Sequence, residues 1–173
     1  FPGVLQRIGV VFFAASILYL NFNWKVLLGI AITILLGYWV RMGFITIEGQ
    51  APTFERAANN WANYIDLNFL GTHMYKEDYD PEGILSTLPA IVSSILGIFT
   101  GLVLVGSKGN KIRSMVLMGV GMVLLWHLCD LVFPINKALW TSSFVLVTAG
   151  WANLVLALIY YFSDVRGLSF GSI

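Results

Sequence analysis

ILSTLPAIVSSILGIFTGLVLV, residues 84–105, is a run of 22 residues that contains no charge. A transmembrane helix needs about 20 predominantly apolar residues to cross the hydrocarbon core of a bilayer. The run lacks the polar and apolar alternation of a strand in a membrane barrel, and it is longer than such a strand. The segment therefore predicts a membrane-spanning helix.

Four further segments resemble it in length and apolar character. Together they give five predicted spans, at about 4–20, 24–40, 84–105, 112–132 and 138–162. The sequence thus predicts an all-α fold, a polytopic transmembrane helix bundle that forms a single membrane domain over residues 1–173. Because the chain begins at Phe1 rather than at a methionine, we expect this domain to be part of a longer protein.

The composition agrees with a membrane protein and argues against other classes. Of the residues, 58% are apolar and 11% are charged, with a mean hydropathy of +0.81, whereas a soluble domain carries about 25% charged residues. A net charge of +1 leaves no electrostatic footprint for nucleic acid. Cys129 is the one cysteine, and His127 with Asp130 supplies too few ligands for zinc. No metal site is therefore predicted.

The distribution of Lys and Arg between the connecting segments predicts the orientation. Loop 107–113 holds three basic residues and no acid, whereas loop 42–83 holds two basic residues and seven acids. Because short cytoplasmic loops are rich in Lys and Arg, we expect loop 107–113 in the cytoplasm and loop 42–83 on the outer side. Within that outer loop, residues 54–70 carry apolar side chains at helical spacing, which predicts a helix in the membrane interface.

Two acids stand immediately before the third span, in Asp80-Pro81-Glu82-Gly83. Helix capping explains them well, with Asp80 as the N-cap, Pro81 at the first helical position and Glu82 near the helix dipole. Alternatively, the two carboxylates bind a sugar hydroxyl or an amine at the outer face. Both accounts can hold together. Pro89 falls one turn inside the predicted helix, where it is expected to produce a kink.

Gln6 and Arg7 lie one turn inside the first predicted span. Because a charge in the hydrocarbon region is costly, Arg7 either faces a partner within the bundle, such as Asp80 or Asp130, or extends its side chain to the interface. The pattern leaves both open. In the third span, Gly97 and Gly101 form a GxxxG pair, which suits close helix packing within the bundle or in a homo-oligomer.

Three segments of the chain resemble the signature segments of a known family. They are FPGVLQRIG at residues 1–9, DPEGILST at 80–87 and FPINKALWTSS at 133–143, and residues 64–66 and 71–75 also fit. In this order they resemble the heparan-α-glucosaminide N-acetyltransferase family, most of all its bacterial branch, whose members are described as transporters related to N-acetylglucosamine.

The resemblance implies a multi-pass membrane enzyme that transfers an acetyl group from cytosolic acetyl-CoA to an amino sugar or glycan across the membrane. A transporter of N-acetylglucosamine-type sugars is the alternative. The resemblance also implies a bacterial inner membrane, in which the orientation predicted from the Lys and Arg residues makes loop 107–113 cytoplasmic and loop 42–83 periplasmic.

The family's catalytic histidine lies upstream of the segment that corresponds to residues 1–9, so no catalytic residue is assigned and the chain alone is expected to be inactive. The matched polar positions that are expected to line the substrate or acyl-donor site are Gln6, Arg7, Asp80, Glu82, Asn136 and Lys137.

Overall fold

The computed structural model describes residues 3–55, 57, 59–75, 80–106 and 110–167. Within these ranges the chain forms six α-helices and no strand, which confirms the predicted all-α fold. The helices are α1 Val4–Asn21, α2 Trp24–Phe44, α3 Trp61–Leu70, α4 Thr87–Val105, α5 Lys111–Asp130 and α6 Ser142–Tyr160. A 3-10 helix, Gly71–His73, follows α3, and a π-helical turn, Tyr161–Val165, continues α6.

Five of these helices are long and apolar enough to cross a membrane, namely α1, α2, α4, α5 and α6. Helix α4 lies at the centre of their packing. Its buried Val92 and Ile95 contact Leu27 and Ala31 of α2 and Val145 of α6. The predicted bundle of five membrane-crossing helices with a sixth, shorter helix is therefore the observed architecture.

Helices α5 and α6 approach each other closely where Gly119 faces Gly150. A Cβ atom on either glycine would lie 3.0 Å from the carbonyl oxygen of the other. Small residues allow such contact between backbones in a membrane, where apolar burial alone does not drive helix association. By contrast, a Cβ atom at Gly97 or Gly101 would meet nothing within 4 Å. Within the described part of the chain, the GxxxG pair of α4 therefore makes no close helix contact.

One end of the bundle collects the N-termini of α1, α4 and α6 and the C-terminus of α2. The Tyr38 hydroxyl near the end of α2 donates to the Leu139 carbonyl at 2.5 Å, and the Ser142 hydroxyl donates to the Leu35 carbonyl at 2.9 Å. Arg7 of α1 reaches the segment before α4 at the same end. We call this the Arg7 end. Successive spans therefore run in alternating directions.

Helix α3 begins at Trp61, seven residues later than the predicted start at residue 54. Asn60 is fully buried, and its amide donates to the carbonyls of Thr53 at 2.8 Å and Glu55 at 3.1 Å. Its side-chain oxygen accepts from the Ala62 N–H at 2.8 Å, which caps the helix. Because these bonds hold the chain before Asn60 as a loop, the predicted helix is shortened.

Helix α4 begins at Thr87 rather than at residue 84, with Ser86 at the N-cap position. The prediction that Asp80 is the N-cap is therefore wrong, because Asp80 lies well before the helix. Pro89 is the third residue of α4, where a backbone N–H has no partner within the helix in any case. The predicted interior kink does not arise, since Pro89 removes no interior hydrogen bond.

Helix α6 begins at Ser142, four residues after the predicted start at 138, because Thr141 accepts the Phe144 N–H at 3.4 Å and caps it. Helix α5 spans Lys111–Asp130, close to the predicted 112–132. Of the loop predicted to be cytoplasmic, residues 107–109 lie outside the described residues, as do 56, 58 and 76–79 of the predicted outer loop.

Candidate functional site at the Arg7 end

Arg7 lies in the first turn of α1 and is buried, with 8% of its surface exposed. Its Nη1 donates to the Pro81 carbonyl at 2.7 Å, and its Nη2 donates to the Ser86 carbonyl at 2.8 Å. The guanidinium carbon lies 4.3 Å from the centre of the Trp140 ring, within the range of a cation–π contact. Arg7 therefore faces partners inside the bundle, which decides between the two alternatives that the sequence left open.

Asp80 organises the turn that precedes α4. It is 3% exposed, and its Oδ2 accepts from the Tyr75 N–H at 3.0 Å. Its Oδ1 accepts from the Glu82 N–H at 2.9 Å. These bonds fix the turn whose Pro81 carbonyl accepts from Arg7, so Asp80 shapes the site rather than capping the helix.

Asp66 of α3 joins the same cluster, although it was not among the predicted site residues. It is 1% exposed, and its Oδ1 accepts from the Ile84 N–H at 2.8 Å. A Cβ atom at Gly83 would overlap the Asp66 carboxylate, so a glycine is required there for this close approach. The signal that could have found Asp66 is its place in residues 64–66, which already resembled the family.

Burial raises the pKa of the Asp66 carboxyl from 3.8 to about 6. The hydrogen bond from the Ile84 N–H opposes this rise, the charge of Asp80 adds to it, and the charge of Arg7 opposes it. Because the folded state binds the proton more tightly than the unfolded chain, this group favours folding below pH 3.8. That contribution is lost as the pH rises to about 6. Above that pH the ionised carboxylate is a cost to the fold.

The turn between α5 and α6 forms the other wall of the site. Asn136 accepts from the Ala138 N–H at 2.9 Å and donates to the Phe54 carbonyl at 3.3 Å. Trp140, in the left-handed region with φ of 53°, donates its ring N–H to Ser93 of α4 at 3.3 Å. Asn136 therefore supports the turn that carries Trp140 under Arg7.

The predicted site residues fall into two groups. Arg7, Asp80 and Glu82 are brought together around the segment before α4, and Asn136 supports the wall beside them. Gln6 and Lys137 are exposed. The carboxylate of Glu82 is half-buried, and it has no hydrogen-bond or ion-pair partner among the described residues. Glu82 is therefore the acid that is available to an outside ligand.

The described cluster combines one buried cation with three acids, Asp66, Asp80 and Glu82, at the end of an apolar bundle. Carboxylates accept hydrogen bonds from hydroxyls and amines, so the arrangement suits a polar ligand that carries both. Among the described residues, no group of three His, Cys, Asp or Glu side chains is placed to hold a metal ion. These residues can therefore bind a ligand through hydrogen bonds and electrostatic attraction.

The chain is 27% identical over 227 residues to heparan-α-glucosaminide N-acetyltransferase from Homo sapiens and 26% identical over 227 residues to the protein of that name from Mus musculus. Each alignment covers 99% of this chain and 34% of the relative, so the chain spans about a third of the length of these relatives. No protein-family model matches the chain. The resemblance predicted from three short segments is thus confirmed: along nearly its whole length, the chain is similar to part of a heparan-α-glucosaminide N-acetyltransferase.

Proposed function

We propose that the protein containing this chain is a membrane-bound N-acetyltransferase that moves an acetyl group from acetyl-CoA to the amine of an amino sugar or glycan. The similarity over 99% of the chain supports a membrane N-acetyltransferase in general. The observation that carries the proposal for this part of the protein is the cluster of the buried Arg7 and Asp80 with the half-buried Glu82. Two of the three segments that resemble the family provide these residues.

The reaction forms a bond between the amine nitrogen and the acetyl carbon and breaks the carbon–sulfur bond of the thioester. The proton lost by the amine must be taken up, and the thiolate of CoA must gain one. In our proposal Glu82 accepts a hydrogen bond from the sugar, while Arg7 fixes the backbone of residues 81–86 around it. A group positioned in this way lowers the barrier by orienting the reactants. The general base is not assigned to a residue of this chain.

Transport of an amino sugar is the alternative function, and a helix broken at Pro89 would support it, because transporters place such helices at their sites. Pro89 lies in the first turn of α4, and α4 continues without interruption to Val105. Helix α4 therefore gives no broken helix in support of transport, and we keep acetyl transfer as the proposed function.

The direct test is acetyl transfer by membranes from cells that express the protein from its complete gene. Radiolabelled acetyl-CoA and glucosamine are supplied, and labelled N-acetylglucosamine is measured against membranes from cells with an empty vector. We expect label in the product that depends on the protein. Glucosamine that enters vesicles unmodified, with no label transferred, would instead support transport.

We further propose that the Arg7 end faces the periplasm and that loop 107–113 faces the cytoplasm of a bacterial inner membrane. With Cys129→Ser as background, Thr72→Cys is expected to react with an impermeant thiol reagent on intact cells, and Ser107→Cys is expected to react only after lysis. Each variant is the control for the other. The reverse pattern of labelling would invert the orientation.

Glu82→Gln is expected to lower acetyl transfer by at least about tenfold, which corresponds to roughly 1.4 kcal/mol. The change keeps the size of the side chain and removes its charge. Because Glu82 has no partner among the described residues, the melting temperature in detergent should barely change. Asp80→Asn is the companion variant, since the single oxygen of Asn can accept only one of the Tyr75 and Glu82 N–H groups in the present geometry. Full activity in Glu82→Gln would remove Glu82 from the site.

A further inference from the structure

Asp66 is a buried acid to which the proposed reaction gives no role. It is 1% exposed and lies on α3, the short helix that contacts the end of α2. Its Oδ1 accepts a hydrogen bond from the Ile84 N–H at 2.8 Å, and its Oδ2 lies against Gly83. Both contacts are made with the segment before α4, the segment that also binds Arg7.

The segment before α4 is bound alternately by the charged side chains of Arg7 and Asp66. Arg7 binds the carbonyls of Pro81 and Ser86, and between them Asp66 binds the N–H of Ile84. The segment is thus held by a cation through two carbonyls and by an anion through one N–H. A hydrogen bond to an ionised group is about twice as strong as one between neutral groups. Neutralising Asp66 would therefore loosen the middle of the segment that Arg7 holds at both sides.

We expect the global stability of the fold not to depend on the charge of Asp66, even if the segment before α4 becomes less firmly placed. An asparagine oxygen could accept the same Ile84 N–H, and it would avoid burying an anion, which is costly unless the anion is paired. Burial raises the pKa of this carboxyl to about 6, so the charge is present at neutral pH in spite of that cost. Strained or costly groups of this kind concentrate at functional sites.

We propose that Asp66 is a positioning residue, whose ionised carboxylate fixes the Gly83–Ile84 backbone against Arg7 and so sets the position of Glu82. The proposal rests on the proposed function, because it assigns Asp66 to the same site. Asp66 acts through the segment and through Arg7, and it does not act on the acetyl group. Acetyl transfer should then require Asp66 in its charged form.

The titratable and charged groups that interact with Asp66 come from three elements of the described chain. Arg7 is on α1, Tyr38 is on α2, and Asp80 lies in the segment before α4. Of these groups, Arg7 stays charged throughout the pH range of an assay. The charge of Asp80 favours the protonated form of Asp66, and the charge of Arg7 favours the ionised form.

Asp66→Asn separates a role in positioning from a role in folding. In the protein expressed from its complete gene, at about pH 7.5, where the wild-type carboxyl is ionised, we expect at least a tenfold loss of acetyl transfer to glucosamine with a melting temperature equal to or above that of the wild type. The gain in melting temperature should shrink as the pH falls toward about 4, because the wild-type carboxyl is then protonated.

The pH profile gives a readout that a purely structural role would not change. Wild-type transfer should fall as the pH is lowered through about 6, and the residual transfer of Asp66→Asn should lack that step. Asp130→Asn is the matched control, since Asp130 also accepts a backbone N–H, that of Ile135 at 2.7 Å, but lies outside the cluster. It should keep both the wild-type rate and the wild-type step.

Two results would overturn the proposal. One is wild-type transfer by Asp66→Asn; the other is a loss of transfer that is matched by a loss of folded protein and by a lower melting temperature. If the wild-type protein transfers no acetyl group, the proposed function itself is wrong. Wild-type transfer is therefore measured before any variant is compared.

Discussion

Arg7→Ala is expected to abolish acetyl transfer and to destabilise the folded protein by about 3 kcal/mol or more. The substitution leaves the carbonyls of Pro81 and Ser86 without their donors, and each hydrogen bond to a charged group contributes about 1.5–3 kcal/mol. It also removes the contact with the Trp140 ring. The expected result is a much lower melting temperature in detergent, measured together with the yield of monodisperse protein.

Two further variants show whether the geometry of Arg7 or only its charge is needed. Arg7→Lys keeps the charge, but it has no planar fork to bind two carbonyls, so we expect it to recover only part of the stability. Arg113→Ala removes an exposed arginine at the other end of the bundle, and it should leave the melting temperature unchanged. Wild-type stability in Arg7→Ala would mean that Arg7 extends to the membrane surface and binds no internal partner.

Gly83→Ala is expected to have the second largest effect, about 1–3 kcal/mol of stability, which is typical of overpacking. The new Cβ atom would overlap the Asp66 carboxylate, so either Asp66 or the segment before α4 must move. The movement breaks the bond between Asp66 and the Ile84 N–H. We therefore expect a lower melting temperature together with a loss of acetyl transfer of at least about tenfold, or 1.4 kcal/mol.

Gly29→Ala is the matched control for this steric prediction. It makes the same chemical change in α2, where a Cβ atom would meet nothing within 4 Å. Alanine has a higher helix propensity than glycine, so the variant should be as stable as the wild type or more stable. If Gly83→Ala behaves like Gly29→Ala, the close contact between Gly83 and Asp66 is absent from the protein.

The architecture could be predicted from the sequence because one physical requirement dominates it. A segment that crosses a bilayer must be long and apolar, and Ile84–Val105 and the four other runs meet this condition by composition alone. The ends of the helices were less predictable. Helix α4 begins three residues late, because Asp66 and Arg7 bind the backbone of residues 81–86, and both partners are distant in the sequence.

The site was predicted in part, and the successes and failures have the same cause. Arg7 was recognised because a charge in an apolar helix is conspicuous at any position. Asp80 was recognised, but as a helix cap, because the pattern Asp-Pro-Glu normally has that local meaning. Asp66 was missed, since an acid in a predicted interfacial helix is unremarkable until the fold buries it to 1% exposure. Burial by distant segments is not visible in a local pattern.

The attachment of α1 at Arg7 links the site to the thickness of the bilayer. Helix α1 has 18 residues, which gives a length of about 27 Å against a hydrocarbon core of about 30 Å. A short helix normally meets such a mismatch by sliding, by extending its flanking side chains, or by thinning the lipid around it. Because Arg7 binds the Pro81 and Ser86 carbonyls, we expect it to oppose sliding of α1, which leaves the adjustment to the Phe22–Asn23 connection and to the surrounding lipid. In a thicker membrane we therefore expect the mismatch to be felt at the Arg7 hydrogen bonds to the Pro81 and Ser86 carbonyls.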